Sequence, residues 1–190
     1  MFVILGQLRR RIKLNDLAVD PQHRLAAVGA DHLDALRAGR DVGLLSEAGC
    51  PGVADPGAAI VALAHQNGVK VVPLVGPSSL LLALMASGLN GQSFAFHGYL
   101  PVKEPARGKR IKELEAISQK ERQTQIFIET PYRNSQMMTD LVKNCHPRTR
   151  ICMAMDISGA AERIETRTAA EWKSQLPDYE KKPAVFLLLG

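Results

Sequence analysis

A twice-repeated order constrains this chain more than any other feature: an apolar strand, a Gly/Pro-rich loop, then an apolar helix. Asp41 to Ser46 (DVGLLS) reads as a short strand, and the loop over 47–57 (EAGCPGVADPG) is dense in Gly and Pro. Residues 58–66 read as an alanine-rich helix that Asn67-Gly68 ends in the manner of a left-handed cap. Lys70 to Val75 (KVVPLV) reads as a second strand, and Pro73 points to an edge position or a strand end because proline cannot donate to a ladder. Gly76-Pro77-Ser78-Ser79 and an apolar helix over 80–87 follow. This order, joined by short connections, predicts a parallel α/β layer.

On either side the pattern is less regular. Residues 22–38 read as a helix, with Leu25, Leu33 and Leu36 apolar and Gly39 a natural stop. Residues 1–20 carry an apolar start and the basic cluster Arg9, Arg10, Arg11 and Lys13, and no element is assigned to them. Residues 88–102 change character and read as a boundary, which divides the chain into an N-terminal α/β domain over 1–92 and a C-terminal one over 93–190. In the second half, 104–122 is a charged helix with a narrow apolar stripe at Ile111, Leu114 and Ile117. Strands are expected at Gln125–Glu129, Arg150–Asp156 and Ala184–Leu189, with a helix over 134–145. Thr168-Ala-Ala-Glu171 reads as a capping box opening a helix to about Leu176. The second half is therefore α/β as well, with a mixed sheet.

Composition removes several classes. No run of the 190 residues approaches the length of an apolar membrane span, so no membrane partner is expected. The opening MFVILGQLRRRIK reverses the order of a secretory signal. Three cysteines, Cys50, Cys145 and Cys152, show no CxxC spacing, so neither a zinc knuckle nor a disulfide scaffold is expected and the compartment is read as cytoplasmic. Lys and Arg number 24 against 19 Asp and Glu, a formal charge of +5 that suits an anionic partner and equally suits plain solubility.

The two loops at the ends of successive strands carry the strongest chemical signal, because ligands of open α/β sheets bind where such loops converge. The first offers Gly49, Cys50, Pro51, Gly52 and Val53, then Asp55-Pro56-Gly57; the second offers Ser78 and Ser79 at a helix N-terminus suited to an anionic group. Asp55 and Ser78 read equally well as helix caps, and the glycines as turn formers. Neither a GxxxxGK[ST] nor a GxGxxG pattern is present. Glu129 and Arg133 follow a strand directly and either orient a substrate or pair with each other. His97 reads as a hydrogen-bonded structural histidine and His65 as a solvated one. The basic run Lys103, Arg107, Lys109, Arg110 and Lys112, interleaved with Glu104, Glu113 and Glu115, reads as a solvated helix face.

Ser46-Glu-Ala-Gly-Cys-Pro51, Asp55-Pro-Gly57, Val75-Gly-Pro77, Gly98-Tyr-Leu-Pro101 and Ile126-Phe-Ile-Glu-Thr-Pro-Tyr-Arg133 recur in one order from about residue 30 onward. Together they resemble the tetrapyrrole methylase-like, S-adenosylmethionine-dependent methyltransferases, nearest the branch that methylates a cytidine 2′-hydroxyl of small-subunit ribosomal RNA. The resemblance implies two α/β domains with the cofactor cleft between them, a homodimer, S-adenosylmethionine as cofactor and no metal. It implies cofactor contacts at Gly49, Cys50, Val53, Ser78, Ser79, Ile128, Ile157 and Ala184, substrate contacts at Tyr132 and Arg133, and Glu129 as the candidate base for an oxygen nucleophile. The acceptor it implies is a ribosomal RNA hydroxyl. A tetrapyrrole or other small-molecule acceptor, and a cofactor-binding role without turnover, stand as alternatives. Family members open with a strand and a loop that lies under the substrate, so the N-terminal domain is expected to lack its first strand. Cys50 stands where the branch has Thr, Glu47 where it has Asp and Tyr132 where it has His.

Overall fold

The structure, a computed structural model, describes residues 2–5 (backbone), 35, 38, 40–46, 49–55, 57–176 and 181–190. The helix expected over 22–38 lies outside these residues apart from Ala35 and Ala38, as do the basic cluster at 9–13, Glu47 and Pro56. The chain divides into two compact units, Met1–Ser78 and Ser79–Gly190.

In the first unit three strands form one sheet in the order β2-β1-β3: β1 is Phe2–Leu5, β2 Val42–Leu45 and β3 Val71–Pro73. β1 is antiparallel to both neighbours, with Val3 opposite Leu44 on one side and Pro73 on the other. β2 and β3 thus run parallel to each other, as their sequence order predicts, but are not adjacent. The layer is mixed rather than all parallel, because β1, from a segment to which no element is assigned by sequence, fills the space between them. Pro73 ends β3, which is an edge strand of the sheet, as its missing N–H suggests. Helix α1 (Gly57–Gln66) packs Ala64, Ile60 and Val61 against Val42, Leu44 and Val71. Gly68, at φ +67°, closes the turn after α1.

The second unit holds a five-stranded sheet in the order β4-β5-β8-β6-β7. Its strands are β4 (Phe94–Tyr99), β5 (Thr124–Glu129), β6 (Arg150–Met155), β7 (Arg163–Thr168) and β8 (Ala184–Leu189), and its helices α2 (Ser79–Ser87), α3 (Ala106–Glu121), α4 (Asn134–Asn144) and α5 (Ala169–Ser174). β4 and β5 are parallel and the remaining pairs antiparallel, so the sheet is mixed as expected. β8 lies at the centre and is buried along its whole length. Its alternation sorts the core: Ala184, Phe186 and Leu188 face one cluster, Val185 and Leu187 the other. The first cluster lies under α3, α4 and α5 and includes Ile111, Leu114, Met137, Met138, Leu141 and Trp172. The second lies under α2 and includes Ala83 and Leu84. α2 therefore packs on the second sheet, whereas the sequence groups residues 80–87 with the first half.

Besides β1, two strands of the second unit have no clear sequence signal. β4 falls inside the segment taken as a linker; Gly98, at φ +62°, and a register shift between Phe96 and Tyr99 break the alternation that would have marked it. β7 (RIETRT) is an edge strand whose six residues are all half-buried, so it lacks the apolar content of an inner strand. The capping box at Thr168 forms as read: its hydroxyl accepts from the Glu171 N–H, and the Glu171 carboxylate accepts from the Thr168 N–H.

Candidate functional site

Parallel β2 and β3 send their C-terminal ends to the same edge of the first sheet. Leu44 and Pro73 flank Val3 in register, which sets the two departing loops about 10 Å apart, two strand spacings. The loops then meet, with the Cys50 thiol 3.7 Å from the Pro77 carbonyl oxygen, to which it donates. Gly49–Val53 and Ser78 thus belong to one edge of one unit, as the sequence reading of converging loops requires.

Asp55 organises the first loop. Its Oδ1 accepts from the Gly52 N–H at 3.1 Å and the Gly57 N–H at 2.8 Å, and its Oδ2 accepts from the Ser46 hydroxyl at 2.9 Å. Burial pushes its carboxyl up, but these three donors outweigh that and hold it below the ordinary aspartate value. Asp55 is therefore the cap of α1 and a tie back to the end of β2. Gly57 is required sterically, since a Cβ there would come within 2.8 Å of both Asp55 Oδ1 and Leu44 Cδ2. Gly49 is of another kind: at φ +74° it favours glycine, yet a Cβ there would meet nothing within 4 Å. Its backbone is open on that side. The exposed Val53 lies beside it, on a turn closed by the Val53 N–H and the Cys50 carbonyl. Gly49 therefore leaves open left-handed backbone and Val53 exposed apolar surface at this edge, while Cys50 is buried with its thiol bonded to Pro77.

In the second unit the expected contacts fall on two sheet faces, because neighbours on a strand point opposite ways. Ile128 and Ile157 pack with Leu80 of α2 on one face. Ala184 is buried in the other cluster, beneath α3, α4 and α5. Glu129, next to Ile128, shares the side of Phe127 and Ala184. Its side chain is fully buried, and Oε1 accepts from Arg133 Nη2 at 2.7 Å and from the Thr130 N–H at 2.6 Å. Of the two readings open at Glu129 and Arg133, the mutual pair is formed. Burial alone would raise the Glu129 carboxyl; the Arg133 guanidinium and the Thr130 N–H outweigh it and hold it low. Tyr132 stands on the short 3₁₀ turn Pro131–Arg133 and is 80% exposed.

His97 is held as its surroundings suggested. Gln125 Oε1 accepts from Nε2 at 2.6 Å, and Arg110 Nη2 donates to Nδ1 at 3.3 Å, which fixes the neutral ring with its proton on Nε2. One residue of the basic run is not solvated. Arg107 is buried and bonds Asp140 Oδ2 at 3.0 Å and the Pro101 carbonyl at 2.9 Å. Its one readable signal was Asp140, an acid set between the inward-facing Met137 and Leu141 of α4. Burial pushes the Cys145 thiol up to about 12 and raises that of Cys152, so neither serves as a nucleophile. Among the described residues no cluster of His, Cys, Asp and Glu could hold a metal ion. Nor is any helix there long and apolar enough to cross a membrane.

The fold and the paired loops define an α/β protein with two converging strand-end loops. The chain belongs to the tetrapyrrole (corrin/porphyrin) methylases, whose family pattern matches residues 8–173. It is 35% identical over 161 residues to the ribosomal RNA small subunit methyltransferase I of Vibrio cholerae, covering 83% of this chain and 54% of that one. To the protein of the same name from Pseudomonas aeruginosa it is 32% identical over 177 residues, covering 92% of this chain and 61% of that one. It thus spans little more than half the length of these relatives. Among solved structures, the methyltransferase CobJ superposes with a TM-score of 0.57 at 20% identity, covering 90% of this chain and 73% of that one. A cobalt precorrin-4 methyltransferase, CbiF, gives 0.56 at 16%, covering 89% and 72%. At such identities these two speak for the fold alone.

Proposed function

We propose that the chain is an S-adenosylmethionine-dependent methyltransferase whose acceptor is a hydroxyl of small-subunit ribosomal RNA, and that it works as a homodimer in the cytoplasm. One observation carries the reading: the loops that converge at Cys50 and Pro77 lie in the stretch the chain shares with relatives named for ribosomal RNA methylation. When bound, the cofactor supplies a methyl group already activated on a sulfonium. The chain's part is to bind and orient. Gly49 offers open backbone and Val53 apolar surface, buried Cys50 ties the first loop to Pro77, Ser78 adds a polar group on the neighbouring loop, and Asp55 keeps the first loop in shape. In the second unit Ser79, Ile128 and Ile157 are further cofactor contacts to be tested by substitution, whereas Ala184, its side chain buried on the opposite sheet face, has only backbone to offer. Tyr132 and Arg133 are assigned to the substrate. Glu129 has two roles open to it. Its low pKa and its bond to Arg133 favour a carboxylate that orients the guanidinium over one that takes up a proton.

Calorimetry of the chain with S-adenosylhomocysteine tests the cofactor. Micromolar binding, about −8 kcal/mol, is expected. Val53→Trp and Ser78→Trp should abolish it. Transfer of tritiated methyl from S-adenosylmethionine to small-subunit ribosomal RNA then tests the acceptor. Absence of binding heat would remove the whole reading; cofactor binding with label passing only to small molecules would return the tetrapyrrole-type alternative. Glu129→Gln separates the two roles of that residue: turnover survives if it orients Arg133 and is lost if it is the base.

A further inference from the structure

We infer that the turn after β5 presents Tyr132 as a stacking platform for one unpaired base of an RNA strand, with Lys181 and Arg133 placed for the flanking phosphates. The choice of RNA rests on the function proposed above; the platform rests on geometry. Tyr132 is 80% exposed, so its ring is available to a partner. Here it is also held still. Pro131 fixes φ just before it, the Arg133 N–H donates to the Thr130 carbonyl at 2.9 Å just after, and the Arg133 guanidinium is tied to buried Glu129. Rigid display of an aromatic ring lowers the ordering cost of binding.

The ring's neighbours have the chemistry of a polyanion site. The Lys181 ammonium lies 5.4 Å from the Tyr132 ring centre. Arg133 is 36% exposed and Lys182 42%. A second ring, Tyr99, is 57% exposed at the end of β4, where it is in register with Ile128 of β5, and it lies near enough to act on the Arg133 charge. Exposed rings interleaved with cations are the recurrent equipment of single-strand binding, in which bases stack and phosphates are neutralised.

The test is fluorescence anisotropy of the full chain with a labelled twelve-nucleotide single-stranded RNA, alongside the calorimetry described above. Tyr132→Ala is expected to weaken binding about tenfold, the size of one lost stacked base, with the salt dependence unchanged. Tyr132→Phe keeps the ring and should bind as the parent does. Lys181→Ala should lower the slope of log K against log salt by about one, the loss of one phosphate contact. Lys120→Ala, on the outer face of α3, serves as the control and should change neither. Parent-like binding by Tyr132→Ala, equal loss in the Phe variant, or no RNA binding by the parent would each overturn the platform. The two proposals fail separately. Loss of cofactor binding alone leaves the platform standing, whereas methyl transfer with an unchanged KM for RNA in Tyr132→Ala removes the platform and leaves the methyltransferase.

Discussion

Single residues in this chain show how far local chemistry depends on what folding brings beside it. His97 has a lowered pKa: burial disfavours its charged form, the bond to Gln125 opposes that, and the Arg110 guanidinium adds to it. A folded-state pKa below the unfolded value of about 6.5 means the unfolded chain binds the proton more readily. The stability His97 contributes is therefore complete above that value and is lost as pH falls toward the lower folded one. Urea midpoints of the parent should fall on acidification through this window, and a His97→Gln variant should be flatter across it. An equally steep fall in the variant would show that another group is responsible. Arg107 makes the complementary point. In the sequence it is one of five basic residues around a charged helix; in the fold it is a buried strut joining the Pro101 carbonyl to Asp140.

At the scale of elements, signals written in neighbouring residues held, and those that needed a partner strand did not. The Thr168 box needs only four residues, and both of its bonds form. Thr168→Ala should cost about 0.5–2 kcal/mol, the usual worth of an N-cap side chain. The loss is read as a shift of the urea transition without a change in its slope, and an unchanged midpoint would mean α5 is held by Trp172 alone. Trp172 is fully buried, and its indole N–H donates to the Ile151 carbonyl at 2.9 Å. The strands β1, β4 and β7 were invisible for a common reason. β4 and β7 are edges, with one side of each unpaired, and β1 gains its place only between two partners far along the chain. The loops at 49–55 and 76–78 were legible because the Gly, Pro and Asp residues that shape them act locally.

At the scale of the whole molecule, the second unit has a core that one residue can test. Phe186, on central β8, stacks on Phe127 of β5 with ring centres 5.9 Å apart and planes 10° from parallel. Both are fully buried. Phe186→Ala should cost about 3–5 kcal/mol through lost contact and the cavity left behind. Trp172 is the sole tryptophan, so its emission reports the unfolding of this unit directly. A smaller shift would mean that the methionine-rich layer, Met137, Met138 and Met153, closes over the gap.

The sequence by itself determined the α/β class, the two strand-end loops, most helices, the capping box and the mixed character of the second sheet. Each of these follows from period, cap or turn residues acting over a few positions. Only tertiary structure decided that α2 packs on the second sheet, that Arg107 is buried, and that Glu129 and Ile128 face opposite ways from one strand. Those outcomes depend on which surfaces meet after long stretches of chain have folded, and no short window of sequence contains both partners.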